Sequence, residues 1–292
     1  MNPFALSMDK GLRENMEDNA YAFLFTPISG EPAVVLMVAD GVGGRDAGDI
    51  ASALAALNLS RSLAGALVAV DAADIAPGDM LETLTRAVDQ TNTAIASAAA
   101  SNSQYHGMAS TIVCAVILDR LLYLTWVGDS RCYLYRDGRV EQISRDHSAV
   151  QQLIASGLLD PQQAKNHPLA HVITRYLGQT EDFTTETILR HIRSGDLLLL
   201  CSDGLSDVIS DEQIARRAED CVGGKLDLPA LAQTLVSDAL AAGTTDNVTV
   251  LCYRHPPSVQ SQNSSSEPTL TGAYPAEMAR VLQSFREESY VK

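Results

Sequence analysis

The chain has 292 residues, 46% of them hydrophobic, and carries 36 acidic against 21 basic side chains for a net charge of −15. That hydrophobic share is ample for a substantial core, while the acidic balance argues against a general nucleic-acid or anionic-membrane surface. The five cysteines are odd in number, widely spaced and mostly set in apolar strand-like segments, so they read as reduced, buried thiols rather than a disulfide framework.

The N-terminus, MNPFALSMDKGLREN, lacks the basic and apolar regions of a signal peptide. No apolar stretch reads as long enough to cross a bilayer, so the expectation is a cytoplasmic chain without membrane insertion. Ser7 to Phe25 reads as a loop and then a short strand, and Ala33 to Ala39 as a buried strand. Two helices are expected next: an alanine- and leucine-rich one over 47–70, then one over 79–101 with Leu81, Leu84, Val88 and Ile95 at helical spacing.

The segments TIVCAVIL, LLYLTWV, RCYLYR and RVEQI follow, separated by two- or three-residue turns, one of them Gly128-Asp129-Ser130. They read as an antiparallel meander. Ser144 to Gln179 is polar and punctuated by glycine and proline, which suggests short helices and loops forming a mobile flap, about 144–180, outside the main sheets. Strands are then expected near 185–193, 197–201 and 247–253, with a helix over 228–241. Paired helices and antiparallel strand runs imply an α+β layered fold. The catalytic unit would occupy 1–255 and a Ser-, Gln- and Asn-rich linker 256–274. A short amphipathic helix over 275–292 would dock on its own domain or on a partner.

One feature recurs along this framework. VVLMVADGVGG (34–44) and LLLLCSDGLSD (197–207) each drive an apolar run into an aspartate, Asp40 and Asp203, where desolvation penalises a charge. Glu17-Asp18, Gly128-Asp129-Ser130 and Asp246-Asn247 also place acids in turns or at strand mouths. Each alone is an ordinary turn former. Gathered at one sheet edge, they could not all stay ionised without a counter-charge. An oxygen-only set favours Mg²⁺ or Mn²⁺, and zinc has little support because neither HExxH nor CxxC occurs. Two such cations would activate water and stabilise a phosphoryl group in transfer, with Arg13 as the fork for phosphate oxygens. DGVGG lacks both the GxxxxGK[ST] ending and the GxGxxG spacing, and no GxSxG elbow is present.

In chain order, GLRENMEDNAY, VADGVGG, VGDSRCYLYRDG, ISRDHS, LLLLCSDGLSD and GTTDNVTVL closely resemble the metal-dependent protein phosphatases, the type 2C serine/threonine family, in a bacterial single-domain form. The resemblance runs from about Ser7 to Tyr253. It implies a four-layer α-β-β-α sandwich, two antiparallel sheets flanked by antiparallel helix pairs, with two Mn²⁺ or Mg²⁺ ions at one end. By the same resemblance Asp40 would bridge both ions, Asp203 and Asp246 would complete one site, and the Gly41 carbonyl with Glu17, directly or through water, the other. Arg13 matches the substrate-phosphate arginine, and Asp129 a carboxylate that helps hold a third metal with Asp203. Asp18 and Asn247 match orienting positions.

The sequence departs from the family pattern in two places, the first of them a feature of eukaryotic relatives. Val42 stands where they often carry a histidine proposed as general acid, and Ala109-Ser110-Thr111 replaces a glycine-threonine-threonine stretch. His147 is a candidate proton donor, with a hydrogen-bonded structural role as the alternative. The implied activity is hydrolysis of phosphoserine and phosphothreonine in proteins by a water bridging two cations, reversing bacterial Ser/Thr kinase signalling. A Ser/Thr kinase or its targets would be among the substrates. The rival from another class is a non-catalytic regulator that retains the fold to bind a phosphoprotein or ligand.

Overall fold

The computed structural model describes residues 2–26, 32–42, 47–69, 76–165, 167–256 and 269–273. Strand β1 (Phe4–Asp9) precedes β2 (Asp18–Thr26) and β3 (Ala33–Val42), which lead into helices α1 (Gly48–Ala69) and α2 (Pro77–Ser101). After a two-residue strand β4 (Ala109–Ser110) come β5 (Ile112–Leu118), β6 (Leu121–Val127), β7 (Arg131–Arg136) and β8 (Arg139–Gln142). Short helices α3 (Ala149–Ala155) and α4 (Pro161–Ala164) lie in the expected flap, followed by β9 (Glu186–His191) and β10 (Leu197–Cys201). The remaining elements are α5 (Asp203–Ser206), α6 (Asp211–Val222), α7 (Leu228–Ala241), β11 (Val248–Arg254) and β12 (Thr269–Ala273).

The strands form two antiparallel sheets, ordered β1-β11-β10-β7-β8 and β12-β2-β3-β5-β6-β9, with β4 beside the end of β3. The apolar run of β3 shows why they stack. Its side chains alternate between faces: Val34, Leu36 and Val38 meet Leu198, Leu200 and Leu251 of the other sheet, while Ala33, Val35, Met37 and Ala39 meet Ala51, Ala55, Leu59 and Leu63 of α1. A strand buried on both faces has no polar side, which explains its unbroken hydrophobicity. On the outer face of the first sheet, Leu199, Val250 and Cys252 pack on Ile214 and Ala218 of α6 and Leu231 and Leu235 of α7. The four-layer α-β-β-α sandwich is thus the observed architecture.

Four expectations need correction. The predicted meander breaks at Gly128–Ser130: β5 and β6 pair in one sheet, β7 and β8 in the other, with β6 continuing to β9 and β7 to β10. A short turn between strands looks the same in sequence whether it closes a hairpin or passes between stacked sheets. Second, Thr269–Ala273, inside the expected linker, is an edge strand paired antiparallel with β2; the 275–292 helix lies outside the described residues. Third, α1 does contain a stretch, Gly48–Leu67, long and apolar enough to cross a membrane by length and composition, with mean hydropathy 1.3. In this fold its Ala51, Ala55, Leu59, Leu63 and Leu67 form a buried stripe against the sheet. Finally, β1 and α6 are additional to the elements expected. Ser210 caps α6, its hydroxyl accepting the Gln213 N–H while the Gln213 side chain accepts the Ser210 N–H, a capping box written in the sequence as SDEQ.

All five cysteines are buried and free. Replacing Leu36, fully buried between the sheets, with alanine is expected to cost about 2–5 kcal/mol of stability. Leu158→Ala, at a position 75% exposed, should stay within about 0.5 kcal/mol of wild type. Urea unfolding monitored by circular dichroism reads both.

Candidate active site

All the acidic segments meet at one end of the sandwich. Asp18, the first residue of β2, is in register with Asp40 near the end of β3. Asp203 lies two residues beyond the end of β10 and opens α5, Asp246 lies two residues before the start of the neighbouring β11, and Asp129 sits where the chain passes from β6 to β7. Antiparallel pairing forces strand ends and strand starts to the same edge, so residues more than two hundred positions apart converge. Between them opens a cleft of about 1160 Å³ lined by Arg13, Glu17, Asp40, Gly41, Asp129, Asp203 and Asp246. The flap forms a second wall with Lys165, His171 and Ile173, and the α5–α6 junction adds Asp207 and Asp211.

Asp40 is fixed through its backbone. Its N–H donates to Thr111 Oγ1 (3.0 Å), and its carbonyl accepts from the Thr111 N–H (2.8 Å) and Ser110 Oγ (3.0 Å). Thr111 Oγ1 also meets Ser130 Oγ at 2.7 Å, joining the β6–β7 passage to the same network. The altered Ala-Ser-Thr stretch therefore clamps the strand end that presents Asp40, a role that its sequence alone did not disclose. Beside it, the Gly41 N–H donates to the Glu17 carbonyl at 3.1 Å. A Cβ added to Gly48 would lie 2.8 Å from Glu17 Oε1 and 3.0 Å from the Gly41 carbonyl oxygen, so those two oxygens converge on one point.

Asp18 and Asn247 lie beneath the cleft rather than in its lining. Buried Asp18 accepts a hydrogen bond from Ser202 Oγ (2.7 Å), which in turn accepts the Thr249 N–H (3.0 Å). Asn247 Oδ1 accepts the Glu17 N–H at 2.6 Å, and its Nδ2 donates to the carbonyls of Lys10 (2.8 Å) and Asn15 (3.1 Å). One buried amide thus ties the loop carrying Arg13 and Glu17 to the start of β11. Contact across the sheet edge is equally close at Gly204, where an added Cβ would lie 2.0 Å from the Asn247 carbonyl oxygen.

The electrostatics are those of crowded carboxylates. Asp40 keeps some exposure to the cleft but lies deep among protein atoms, and burial, with Asp18, Asp203 and Asp129 nearby, pushes its pKa well above 3.8. Burial and then Asp129 and Asp207 do the same to Asp203. Asp18 and Asp129 are raised to about 6, each chiefly by burial. Among the described residues, two buried oxygens, Asp129 Oδ1 and Asp203 Oδ1, have no hydrogen-bond partner, an expensive arrangement for protein alone.

Among the described residues no three acidic, histidine or cysteine side chains are drawn in closely enough to enclose an ion. The donor set still fits a divalent cation: it is all oxygen, two of its buried oxygens lack partners, and a side-chain and a backbone oxygen already converge at Gly48.

A family model for protein phosphatase 2C matches residues 22–236. The chain belongs to the protein phosphatase 2C family. It is 38% identical over 252 residues to the serine/threonine protein phosphatase PstP of Mycobacterium tuberculosis, covering 85% of this chain and 44% of PstP, so it spans less than half the length of that relative. The match to the serine/threonine phosphatase stp of Listeria welshimeri is 33% over 245 residues, 83% of this chain and 92% of stp. A crystal structure of the catalytic domain of PstP in complex with two manganese ions is similar with a TM-score of 0.69 at 34% identity, covering 86% of this chain and 96% of that one.

Two further residues bear on this protein phosphatase 2C cleft. Val42, 43% exposed at the cleft edge, has no proton to give. His147 is turned away: it is buried, stacks on Trp126, accepts the Gly128 N–H at Nδ1 (3.1 Å) and meets Glu186 Oε1 at Nε2 (3.1 Å). It holds the residue before Asp129 in place, the structural alternative of the sequence reading. Arg131, which the sequence reading had not singled out, makes a two-pronged bond to Asp146 (Nη2–Oδ2 2.7 Å) on the cleft floor.

Asp18 generates a pH prediction. Its folded pKa, about 6, exceeds the ordinary 3.8, so between those values the folded state binds more protons than the unfolded state. Stability from this group is full below about pH 4 and is lost as pH rises through about 6. Thermal melts of protein stripped of divalent ions should show Asp18→Asn gaining on wild type across that window and holding its gain above it; a constant difference would refute the shift.

Proposed function

We propose that this chain is a metal-dependent serine/threonine phosphoprotein phosphatase that removes phosphate by direct attack of water, without a phosphoenzyme. The observation that carries this reading is the convergence of Asp40, Asp203, Asp246, Glu17 and the Gly41 carbonyl on one cleft that also contains Arg13. The names and family of the relatives support it. Two cations, Mn²⁺ or Mg²⁺, would be held by Asp40 between them, Asp203 and Asp246 on one side, and Glu17 with the Gly41 carbonyl on the other. Asp129 with Asp203, each with an oxygen unpartnered among the described residues, would hold a third. Bound cations supply charge neutralisation for the carboxylates, acidification of water in the cleft and charge for the phosphoryl oxygens.

The chain's own residues do the rest. Arg13, on a half-exposed side chain, offers a planar fork for two phosphate oxygens. The Ser110–Thr111 clamp and the Asp18–Ser202 bond keep Asp40 and the β10 end rigid, because a working constellation tolerates only about 0.5 Å of error. Asn247 keeps Glu17 and the Arg13 loop in step with Asp246. The open cleft, far larger than a phosphate group, admits a segment of protein substrate between flap and core. Neither Val42 nor His147 can protonate the leaving serine or threonine oxygen, so that proton comes from water or another cleft group. In the cell the activity would oppose a Ser/Thr kinase, and the five free, buried cysteines agree with a reducing compartment.

Asp40→Ala and Asp203→Asn are expected to abolish Mn²⁺-dependent release of phosphate from a phosphothreonine peptide while circular dichroism and melting stay cooperative. Wild-type rates in either variant would sink the assignment. Mn²⁺ binding by the unaltered chain without turnover would instead favour a non-catalytic phosphoprotein-binding role.

A further inference from the structure

The two groups expected to do different jobs, Arg13 for phosphate and Asp246 for metal, are bonded to each other. Arg13 Nη2 donates to Asp246 Oδ2 at 2.6 Å, at the short end of charge-assisted bonds. The other oxygen of Asp246 accepts the Asn247 N–H at 2.8 Å, so both of its oxygens carry a donor. Oδ1 is held locally by the next residue of its own chain. Oδ2 is held by a side chain 233 positions away, on a loop that Asn247 anchors from below through the Lys10 and Asn15 carbonyls.

An oxygen that faces a guanidinium cannot at the same distance and direction face a cation, since the two positive groups would repel. We propose that Arg13 is a competing internal ligand for Asp246: it counters the carboxylate charge until a divalent cation displaces it, and displacement turns the guanidinium toward the phosphate. The salt bridge then couples cation and phosphate binding beyond the direct attraction between them. Linkage makes the coupling reciprocal, so a cation tightens phosphate binding by the same factor as phosphate tightens cation binding. The inference rests on the phosphatase reading for the identity of the ligands, and it assigns Arg13 a second role, setting the affinity for metal.

The size of the effect is bounded by the environment. Arg13 is 50% exposed and Asp246 36%, and exposed pairs are modest because water screens them. Breaking the bridge is therefore expected to tighten cation binding roughly two- to fivefold.

The test is calorimetric titration of the full chain with Mn²⁺ in the absence of any phosphoester, comparing wild type, Arg13→Ala and Lys10→Ala. Lys10→Ala removes one positive charge from the same exposed loop but leaves the bridge intact. The expected result is tighter Mn²⁺ binding for Arg13→Ala and wild-type binding for Lys10→Ala. In parallel, inorganic phosphate titrated with and without saturating Mn²⁺ should gain affinity from the metal in wild type, and that gain should shrink about two- to fivefold in Arg13→Ala, the part the bridge contributes beyond direct attraction by the cations. Unchanged or weaker Mn²⁺ binding in Arg13→Ala overturns the competition, as does equal tightening in Lys10→Ala, which would mean that general charge is responsible. Absence of Mn²⁺ binding in all three proteins would overturn the phosphatase reading as well, whereas equal binding in all three, with turnover intact in wild type and Lys10→Ala, overturns the coupling alone.

Discussion

The constraint on which this molecule turns is repulsion among carboxylates that the fold has placed where water cannot fully screen them. Burial raises the pKa of Asp40, Asp203, Asp129 and Asp18, and neighbouring carboxylates raise each of them further. A protein has two general ways to live with such a cluster: protonate part of it, or admit cations. The surrounding architecture favours the second, because the backbone is held independently of the charges. Asp40 is fixed by its own N–H and carbonyl through Ser110 and Thr111, and Gly204 sits too close to Asn247 to accept a side chain. The acids are therefore presented by strand ends that cannot relax away from one another.

The same constraint explains why apolar strands lead into the acids. Val34–Ala39 and Leu197–Cys201 are buried on both faces, each locked between the opposite sheet and a helix layer. Their packing energy is what holds charged termini together against repulsion. Hydrophobic burial is non-directional but additive over area, so a thick sandwich can sustain a destabilised rim that a thin fold could not.

Much of this was legible in the sequence because it depends on local pattern. The acid after an apolar run is visible at Asp40 and Asp203, and the bounds of β6, β7, β10 and α7 follow from periodicity and turn residues alone. What stayed hidden depends on pairing between distant segments. The passage at Gly128–Ser130 between two sheets looks like a hairpin turn because sequence records only the length of a connection. The clamp by Ser110 and Thr111 was hidden for the same reason: hydroxyls at these positions acquire a purpose only when the chain returns 71 positions later to the N–H of Asp40. Helix α1 shows the limit in composition. Its alanine-rich surface satisfies the membrane criterion because small residues let a helix lie close to a sheet as well as suiting a bilayer, and only the partner distinguishes the two.

The Arg13–Asp246 bridge belongs to the hidden class and carries the most consequence for chemistry. A motif reading assigns each residue one role, phosphate for the arginine and metal for the aspartate, as though the groups acted alone. Placed 2.6 Å apart, they share one electrostatic account in which the acid's charge is always met by something. A guanidinium on a half-exposed loop is a weak, mobile counter-ion, easily displaced by a divalent cation of higher charge density. On the proposed reading, its release would leave a cation poised beside the metals, where the dianionic phosphate of a substrate would arrive. The cluster that repels itself thus also keeps Arg13, the proposed phosphate ligand, within reach, and the order in which charges are exchanged becomes a property of the fold.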